Sequence, residues 1–495
     1  MKPIGTITAC FPYVDEETRA ILQSVMDEAK DYNDFAEQLC EKALHEPLPD
    51  LTIYFAYYHC YNQGKYDFMK KLIDSDIKTE LTQIFSLVAA QRRGEDVGWS
   101  EYQKGLFSAL KHVDNDWMAC HIYISWRVLI EVFELPEAAV DNETLNILTS
   151  KIENDEEYGI FLSQIYRITS QRLLGEGNLK DAIKYNEMAI SQAKKYDDQE
   201  ALCILLLLKA NKVKHYNFNE ALSILEIVKK IVDELNYIDG NALYLHELGH
   251  IAMAKGEFEK AIDYQNQVVA IRLECGLPVG FMRLLIALIH DQKGNGKTAL
   301  KSIRESQNEY GIGAEVLQQI SGAWAYLLLD KIDEAKLCLD KAHASSLKSG
   351  SEIYLAHIHF LEGLMAKKQG DLSSAIFSFR NALEVYERFQ SIAYINFSLL
   401  EIVDAEIEVI APKKGGDSLE VSGPWMRKLL DYVEQKDLPG TAAQAKLLLA
   451  KFRFKQGRIK ESRILVNEIF KVSEKTGMHY LKDKAELLVP DLLLS

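Results

Sequence analysis

The sequence contains no Cys-x-x-Cys pair. Its seven cysteines (Cys10, Cys40, Cys60, Cys120, Cys203, Cys275 and Cys338) stand singly, mostly inside apolar runs. That spacing offers neither a zinc ribbon nor a dithiol redox pair, and it is the pattern expected of reduced core thiols in a cytoplasm. Only 10 of 495 residues are proline and 27 are glycine, too few for a collagen-like or low-complexity chain. No uncharged apolar stretch reaches the ~18 residues of a membrane span. The tetrad ITAC (7–10) has only PIGT before it, far short of the apolar run a secretory leader needs. Positive charge is scarce as well. Lys and Arg number 57 against 73 Asp and Glu, a net charge of -16, which argues against a nucleic-acid partner because displacing counterions from phosphates needs a basic surface. The imbalance is concentrated in residues 1–150, with 25 acidic against 13 basic side chains. Such a region is either a solvated acidic surface or a docking face for a basic partner.

What the chain has in quantity is helix-forming sequence: 48% apolar and 26% charged residues, with Ala, Leu, Glu, Lys and Ile prominent. A single compact core rarely grows to this length, so the alternatives are several domains or an elongated repeat array. Internal similarity decides between them. The segments GNLKDAI (177–183), NFNEAL (217–222), GEFEKAI (256–262), GNGKTAL (294–300), DKIDEAK (330–336) and GDLSSAI (370–376) align on Ala182, Ala221, Ala261, Ala299, Ala335 and Ala375, spaced by 39, 40, 38, 36 and 40 residues. Each unit reads as a helix, a short turn, a small residue and a second amphipathic run. Small residues at these places let two antiparallel helices approach closely. The expected packing set is therefore those six alanines with Gly249 and Gly363.

These residues resemble the tetratricopeptide repeat family. The likeness rests on Leu248-Gly249 before GEFEKAI, on Gly363 before GDLSSAI, and on Ala-x-x-x-large-apolar pairs such as Ala221/Leu225 and Ala375/Phe379. The chain departs from the family in its period, nearer 40 than 34, in the missing terminal proline, and in Asn186 and Gln265 at apolar slots. The longer units are similar to those of kinesin light chains and of bacterial signalling regulators. The resemblance implies an all-α fold, an α-solenoid whose helix pairs wind into a right-handed superhelix, with degenerate helical units at both ends. The expected organisation is an irregular, acidic helical region over 1–135, a linker or connecting helix over 136–159, the repeat array over 160–410 and C-terminal helical repeats over 411–495. Terminal units drift because one of their faces meets water, and Met69 and Ser462 stand where alanine is expected.

Two motifs suggest chemistry. HELGH (246–250) has the His-Glu-x-x-His spacing of a zinc peptidase, in which His246 and His250 would hold the metal and Glu247 would activate water. The extended pattern fails, since Met253 and Gly256 replace its later glycine and histidine. Leu248 and Gly249 belong to the repeat signature, which leaves Glu247 as a solvated helix residue. GNGKTAL resembles a phosphate loop, but Asp291 stands where that loop has glycine and would repel phosphate. No nucleophile–base set can be assembled, so the expectation is a non-enzyme with no cofactor and no metal site.

In tetratricopeptide arrays the first helix of each unit lines the concave face. Projected onto this chain, that implies a partner-binding line of Arg167, Gln171, His246, His250, Met253, Leu284, Leu288, Trp324, Phe360 and Lys367. The line is mainly apolar, which suits a protein or peptide with an apolar segment, or a segment of the chain itself such as TITACFPYV (6–14). The basic stretch KFRFKQGRIKESR (451–463) could meet the acidic N-terminal third of a second copy, giving a homo-oligomer. The leading expectation is a cytoplasmic interaction scaffold that touches neither nucleic acid nor membrane. A peptide-gated regulator is the alternative, and a zinc hydrolase is a remote one.

Overall fold

The computed structural model describes residues 5–92, 97–131, 152, 156–175, 178–214, 217–275, 277, 279–306, 312–349, 351–409, 424–436, 438–476 and 478–488. Every regular element among them is helical. The chain is an all-α solenoid. Helix pairs recur at the expected places: Leu162–Gly175 with Leu179–Lys195, Gln199–Val213 with Phe218–Leu235, Ile238–Lys255 with Phe258–Glu274, Gly280–Lys293 with Gly296–Glu305, Ile312–Leu328 with Ile332–Ser349, and Glu352–Lys368 with Leu372–Arg388. The repetition continues through Ile392–Val409 with Pro424–Lys436 and Pro439–Lys455 with Ile459–Thr476, and Tyr480–Leu488 follows. The linker expected over 136–159 and the start of the C-terminal region expected from 411 lie largely outside the described residues.

The turn inside each unit follows from its residues. Gly294 and Gly370 sit at φ +91° and +83°, a left-handed conformation that ends the first helix without a Cβ penalty. The next residue then caps the second helix: Asn295 accepts a hydrogen bond from the Thr298 N–H, and Asp371 from that of Ser374. The six repeat alanines are all fully buried. A Cβ on Gly249 would stand 2.6 Å from Gln265 Nε2, and one on Gly363 would stand 2.5 Å from Phe379, so both glycines sit where the two helices of a unit touch. The polar residues in apolar slots satisfy carbonyls: the Asn186 Nδ2–H donates to Leu205 O at 3.1 Å and Gln265 Nε2 to His246 O at 3.4 Å. Ser462 is fully buried in its alanine slot, its hydroxyl donating to Ala450 O at 2.8 Å.

Two compact units divide the chain. The first comprises 1–213, 219–244 and 270–278, and the second 214–218, 245–269 and 279–495. In the first, the helix Asp50–Asn62 is apolar or aromatic around most of its circumference and buries Tyr54, Phe55, Tyr57 and His59, so neighbouring helices must cover it on several sides. The N-terminal segment 6–14 packs within this unit, Ile7 and Cys10 being fully buried and Tyr13 stacked on Trp117 with ring centroids 4.5 Å apart.

In the second unit, residues distant in sequence share one core. Ala252, Met253, Phe258 and Ala261 of the 245–262 stretch pack with Leu447, Ala450, Val466, Ile469, Tyr480 and Leu481. Phe258 and Tyr480 have ring centroids 4.7 Å apart. Where the turn at Gly256 meets the start of the helix Pro439–Lys455, a Cβ on Gly440 would fall 2.6 Å from Lys255 O and 2.9 Å from Gly256 Cα, so backbone lies against backbone. Among the described residues no helix is long and apolar enough to cross a membrane.

Candidate functional site

The line projected along the first helices divides into buried and polar parts. Leu284, Leu288, Trp324 and Phe360 are buried, with exposures of 1, 4, 7 and 4%. Trp324 lies 5.4 Å from Phe360 and 6.1 Å from Phe397 between ring centroids, so the two aromatic residues are core, covered by the chain's own helices. Met253 belongs to the core shared with Leu447 and Ala450. Lys367 is held by Glu401 (2.6 Å) and Asp404, and Asp404 is shared with Lys451 (2.6 Å). Gln171 is half-buried.

HELGH is also built into the packing. The rings of His246 and His250 meet edge to face at 4.4 Å, with their Nε2 atoms 3.0 Å apart, and His246 Nδ1 lies 3.4 Å from Gln265 Oε1. Glu247 is not the solvated residue expected from the sequence. It is 8% exposed and receives the Lys214 ammonium at 2.7 Å, an ion pair set between two repeats where the projected helix surface had suggested water. No group of three or more His, Cys, Asp or Glu side chains poised for a metal occurs among the described residues. Asp291, the residue out of place for a phosphate loop, is buried and accepts a 2.6 Å hydrogen bond from the Ser321 hydroxyl. The basic stretch 451–463 is engaged within its own unit: Lys451 and Lys455 pair with Glu408, and Arg453 and Arg458 pair with Glu461.

Of the projected residues, Arg167 alone lines a cavity of about 390 Å³ in the first unit. The first helices of three successive repeats supply one side, through Gln164 and Arg167, then Glu200, Ile204 and Leu208, then Asp239 and Leu243. The N-terminal helices supply the other, through Tyr58, Tyr61 and Asn62 of Asp50–Asn62 and Trp117, His121 and Ile124 of Asp116–Glu131. The aromatic wall is continuous: Trp117 lies 4.8 Å from Phe161 and 5.8 Å from His121, and His121 lies 5.2 Å from Tyr58. His121 is 3% exposed and its Nδ1 meets the Tyr54 hydroxyl at 3.3 Å, while its buried Nε2 has no hydrogen-bond partner. Burial drives its pKa down to about 4, so the ring is neutral.

The opposite wall carries Asp198, Glu200 and Asp239. Asp198 caps the helix Gln199–Val213 by accepting from the Ala201 N–H at 3.0 Å, and Asp239 stands in the first turn of Ile238–Lys255, both favoured at a helix N-terminus. Glu200 is half-buried by area, its open side facing the cavity. Loss of hydration in the surrounding protein, then repulsion from Asp198, push its carboxyl up to about 8, against the pull of Tyr32 and Arg167. A carboxyl displaced that far in a cleft marks a candidate site. Sequence reading missed it. The usable signal was the aromatic run IYFAYYHCY (53–61), which no repeat position explains.

No curated protein sequence matches the chain. Among solved structures it is similar to a Rap protein complexed with competence and sporulation factor (12% identity, covering 80% of this chain and 97% of that one, TM-score 0.38). It is also similar to yeast Tom70 (12% identity, 95% and 96% covered, TM-score 0.31) and to the APC/C hetero-tetramer Cut9-Hcn1 (15% identity, 97% and 98% covered, TM-score 0.37). Residues 242–275 match the tetratricopeptide repeat profile, over the helix pair that carries Gly249 and Ala261. That pair is thus similar to a tetratricopeptide repeat, and helix pairs recur along the chain at the period of its buried alanines.

Proposed function

We propose that the protein is a non-enzymatic interaction scaffold that receives part of a peptide, or an exposed segment of a protein, in the cavity of its first unit. The observation that carries this reading is the cavity's make-up. Three successive first helices contribute Arg167, Leu208 and Leu243, and an aromatic wall faces them. A largely apolar recess with a few convergent polar groups suits a specific ligand. The apolar residues projected onto the inner face of the second unit, Met253, Leu284, Leu288, Trp324 and Phe360, are buried in its own core, so the first unit is the better candidate for an inner-face contact. The test is selection of peptides from a displayed library on the full chain and on Leu208→Trp, whose indole would occupy the cavity from a half-buried position. Selected peptides should bind the wild type and lose at least tenfold in affinity for the variant. Equal binding by both would refute the site.

One observation favours gating over passive binding. The cavity is lined by N-terminal helices, Asp50–Asn62 and Asp116–Glu131 among them, and by the first helices of three repeats, so an occupant touching both sets favours one arrangement of them over others. A selected peptide should then raise the amide-exchange protection of 50–62 and 116–131 together. Protection confined to the repeat helices would exclude gating.

A further inference from the structure

The charges around the cavity do not balance. Arg167 and Arg272 bring two cations, and Asp198, Glu200 and Asp239 bring three carboxyls. We propose that the cavity is a receptor for one cationic group, a guanidinium or ammonium, seated between the Glu200 carboxylate and the aromatic wall of Tyr58 and Trp117. This rests on the reading that the cavity takes a ligand, and it adds the ligand's chemistry.

Three features support it. Ring faces attract cations, most strongly where water is excluded, and Tyr58 and Trp117 both line the recess. A third cation would let the third carboxyl ionise and form charge-assisted hydrogen bonds. His121 extends the aromatic wall: neutral and 3% exposed, its ring lies 5.2 Å from Tyr58 and 5.8 Å from Trp117, so this side of the recess carries no positive charge of its own.

The groups around Glu200 set the proton balance. Tyr32 bonds it from the helix Tyr32–His45, Tyr58 faces it from Asp50–Asn62, and Arg167 attracts it from Leu162–Gly175. Asp198 precedes it on its own helix, Cys203 follows it there, and Tyr237 and Asp239 stand at the start of Ile238–Lys255. The tyrosines and Cys203 are pushed up and stay neutral below pH 9, so Glu200 is the group that exchanges a proton. With the empty-site carboxyl at about 8, a bound cation releases close to one proton at neutral pH. Affinity then rises about tenfold per pH unit between 6 and 7 and levels off above 8.

The experiment is calorimetric titration of the full chain with N-acetyl-arginine amide, agmatine and the neutral N-acetyl-norleucine amide, in two buffers of different ionisation heat. Both cations should saturate one site with release of close to one proton, and Glu200→Gln should weaken them about 10- to 100-fold while the helical circular dichroism stays unchanged. Tighter binding of the arginine amide assigns the cation to a peptide side chain, and tighter binding of agmatine assigns it to a free amine. Norleucine amide binding as well as the cations, or cation binding indifferent to Glu200→Gln, overturns the proposal. Selected peptides that lack a basic residue yet depend on Leu208 overturn the cation assignment alone. Peptides that bind without regard to Leu208 overturn the ligand site itself.

Discussion

Replacing Gly440 with alanine tests the long-range closure of the second unit, because its sign depends on the contact. Gly440 is the second residue of the helix Pro439–Lys455, a conformation alanine adopts freely. If the site were open, the change would stabilise the protein by about 0.4–1 kcal/mol by narrowing the unfolded ensemble. The structure predicts the opposite. The added Cβ would lie 2.6 Å from Lys255 O, 2.9 Å from Gly256 Cα and 3.0 Å from the Tyr480 hydroxyl. The first two are backbone atoms and cannot rotate away. Relief requires the helix start to move off the Gly256 turn, loosening Leu447 and Ala450 from Met253 and Phe258. Overpacking of this kind costs about 1–3 kcal/mol, leaving a net loss of about 1–2 kcal/mol after the entropic gain. Gly322→Ala is the internal control, since Gly322 lies within Ile312–Leu328 and its Cβ would meet only Cys338 Sγ at 3.4 Å. It should stabilise by about 0.5–1 kcal/mol. Equilibrium urea denaturation followed by circular dichroism reads both. A Gly440→Ala protein as stable as Gly322→Ala would refute the contact between the Gly256 turn and the C-terminal helices.

Three further outcomes follow from the buried polar and aromatic groups. Asp404, 9% exposed, lies between Lys367 and Lys451; because Lys367 keeps Glu401 and Lys451 keeps Glu408, Asp404→Ala should cost about 1.5–3 kcal/mol at pH 7. Burial raises the Asp404 carboxyl but the two ammoniums outweigh it and hold it below 3.8, so wild-type stability from this group is present above that pH and lost as pH falls further, where the variant's deficit should shrink. Asp291 behaves oppositely: desolvation holds its pKa well above 3.8, so the folded state keeps a proton the unfolded chain releases, and stability declines as pH rises from about 4. Asp291→Asn, which retains an acceptor for Ser321, should flatten that decline in denaturation midpoints measured from pH 4 to 8, and an unchanged slope would refute the assignment. Trp324→Ala should lower stability by about 3–5 kcal/mol because it removes a core ring packed on Phe360 and Phe397; a loss under 1 kcal/mol would place Trp324 on a surface instead.

The repeats were legible because each is a local solution to the same packing problem. A fully buried alanine every 36–40 residues, and a Gly-Asn or Gly-Asp pair that ends one helix and caps the next, depend only on neighbours within a unit. The same locality explains what was misread. Projecting one helix face through the array says which residues share a side, and it says nothing about what the chain lays over that side. Met253 shares a core with Leu447, and Lys367 is paired with Glu401 and Asp404; neither relation has a signature in its own repeat.

Glu200 shows the limit more sharply. In the sequence it is a glutamate in the first turn of a helix, after a capping aspartate, the commonest of placements. Its carboxyl departs from the ordinary range because the elements packed around it take away its water and Asp198 and Asp239 repel its charge, against the pull of Tyr32 and Arg167. The one advance notice is on the far side of the cavity. IYFAYYHCY places aromatic rings around most of a helix, far more than a two-layer repeat buries, so some of that surface had to face something other than its own repeat partner. Part of it meets the core, and Tyr58 and Tyr61 meet the cavity. An aromatic run that exceeds what its repeat can cover is therefore a usable pointer to a site in chains of this architecture. Phe55→Leu and Tyr58→Leu separate the two roles: the first, at a fully buried ring, should lower stability, and the second should weaken cation binding by more than it lowers stability. Equal effects of both on stability, with cation affinity unchanged, would return the whole run to the core.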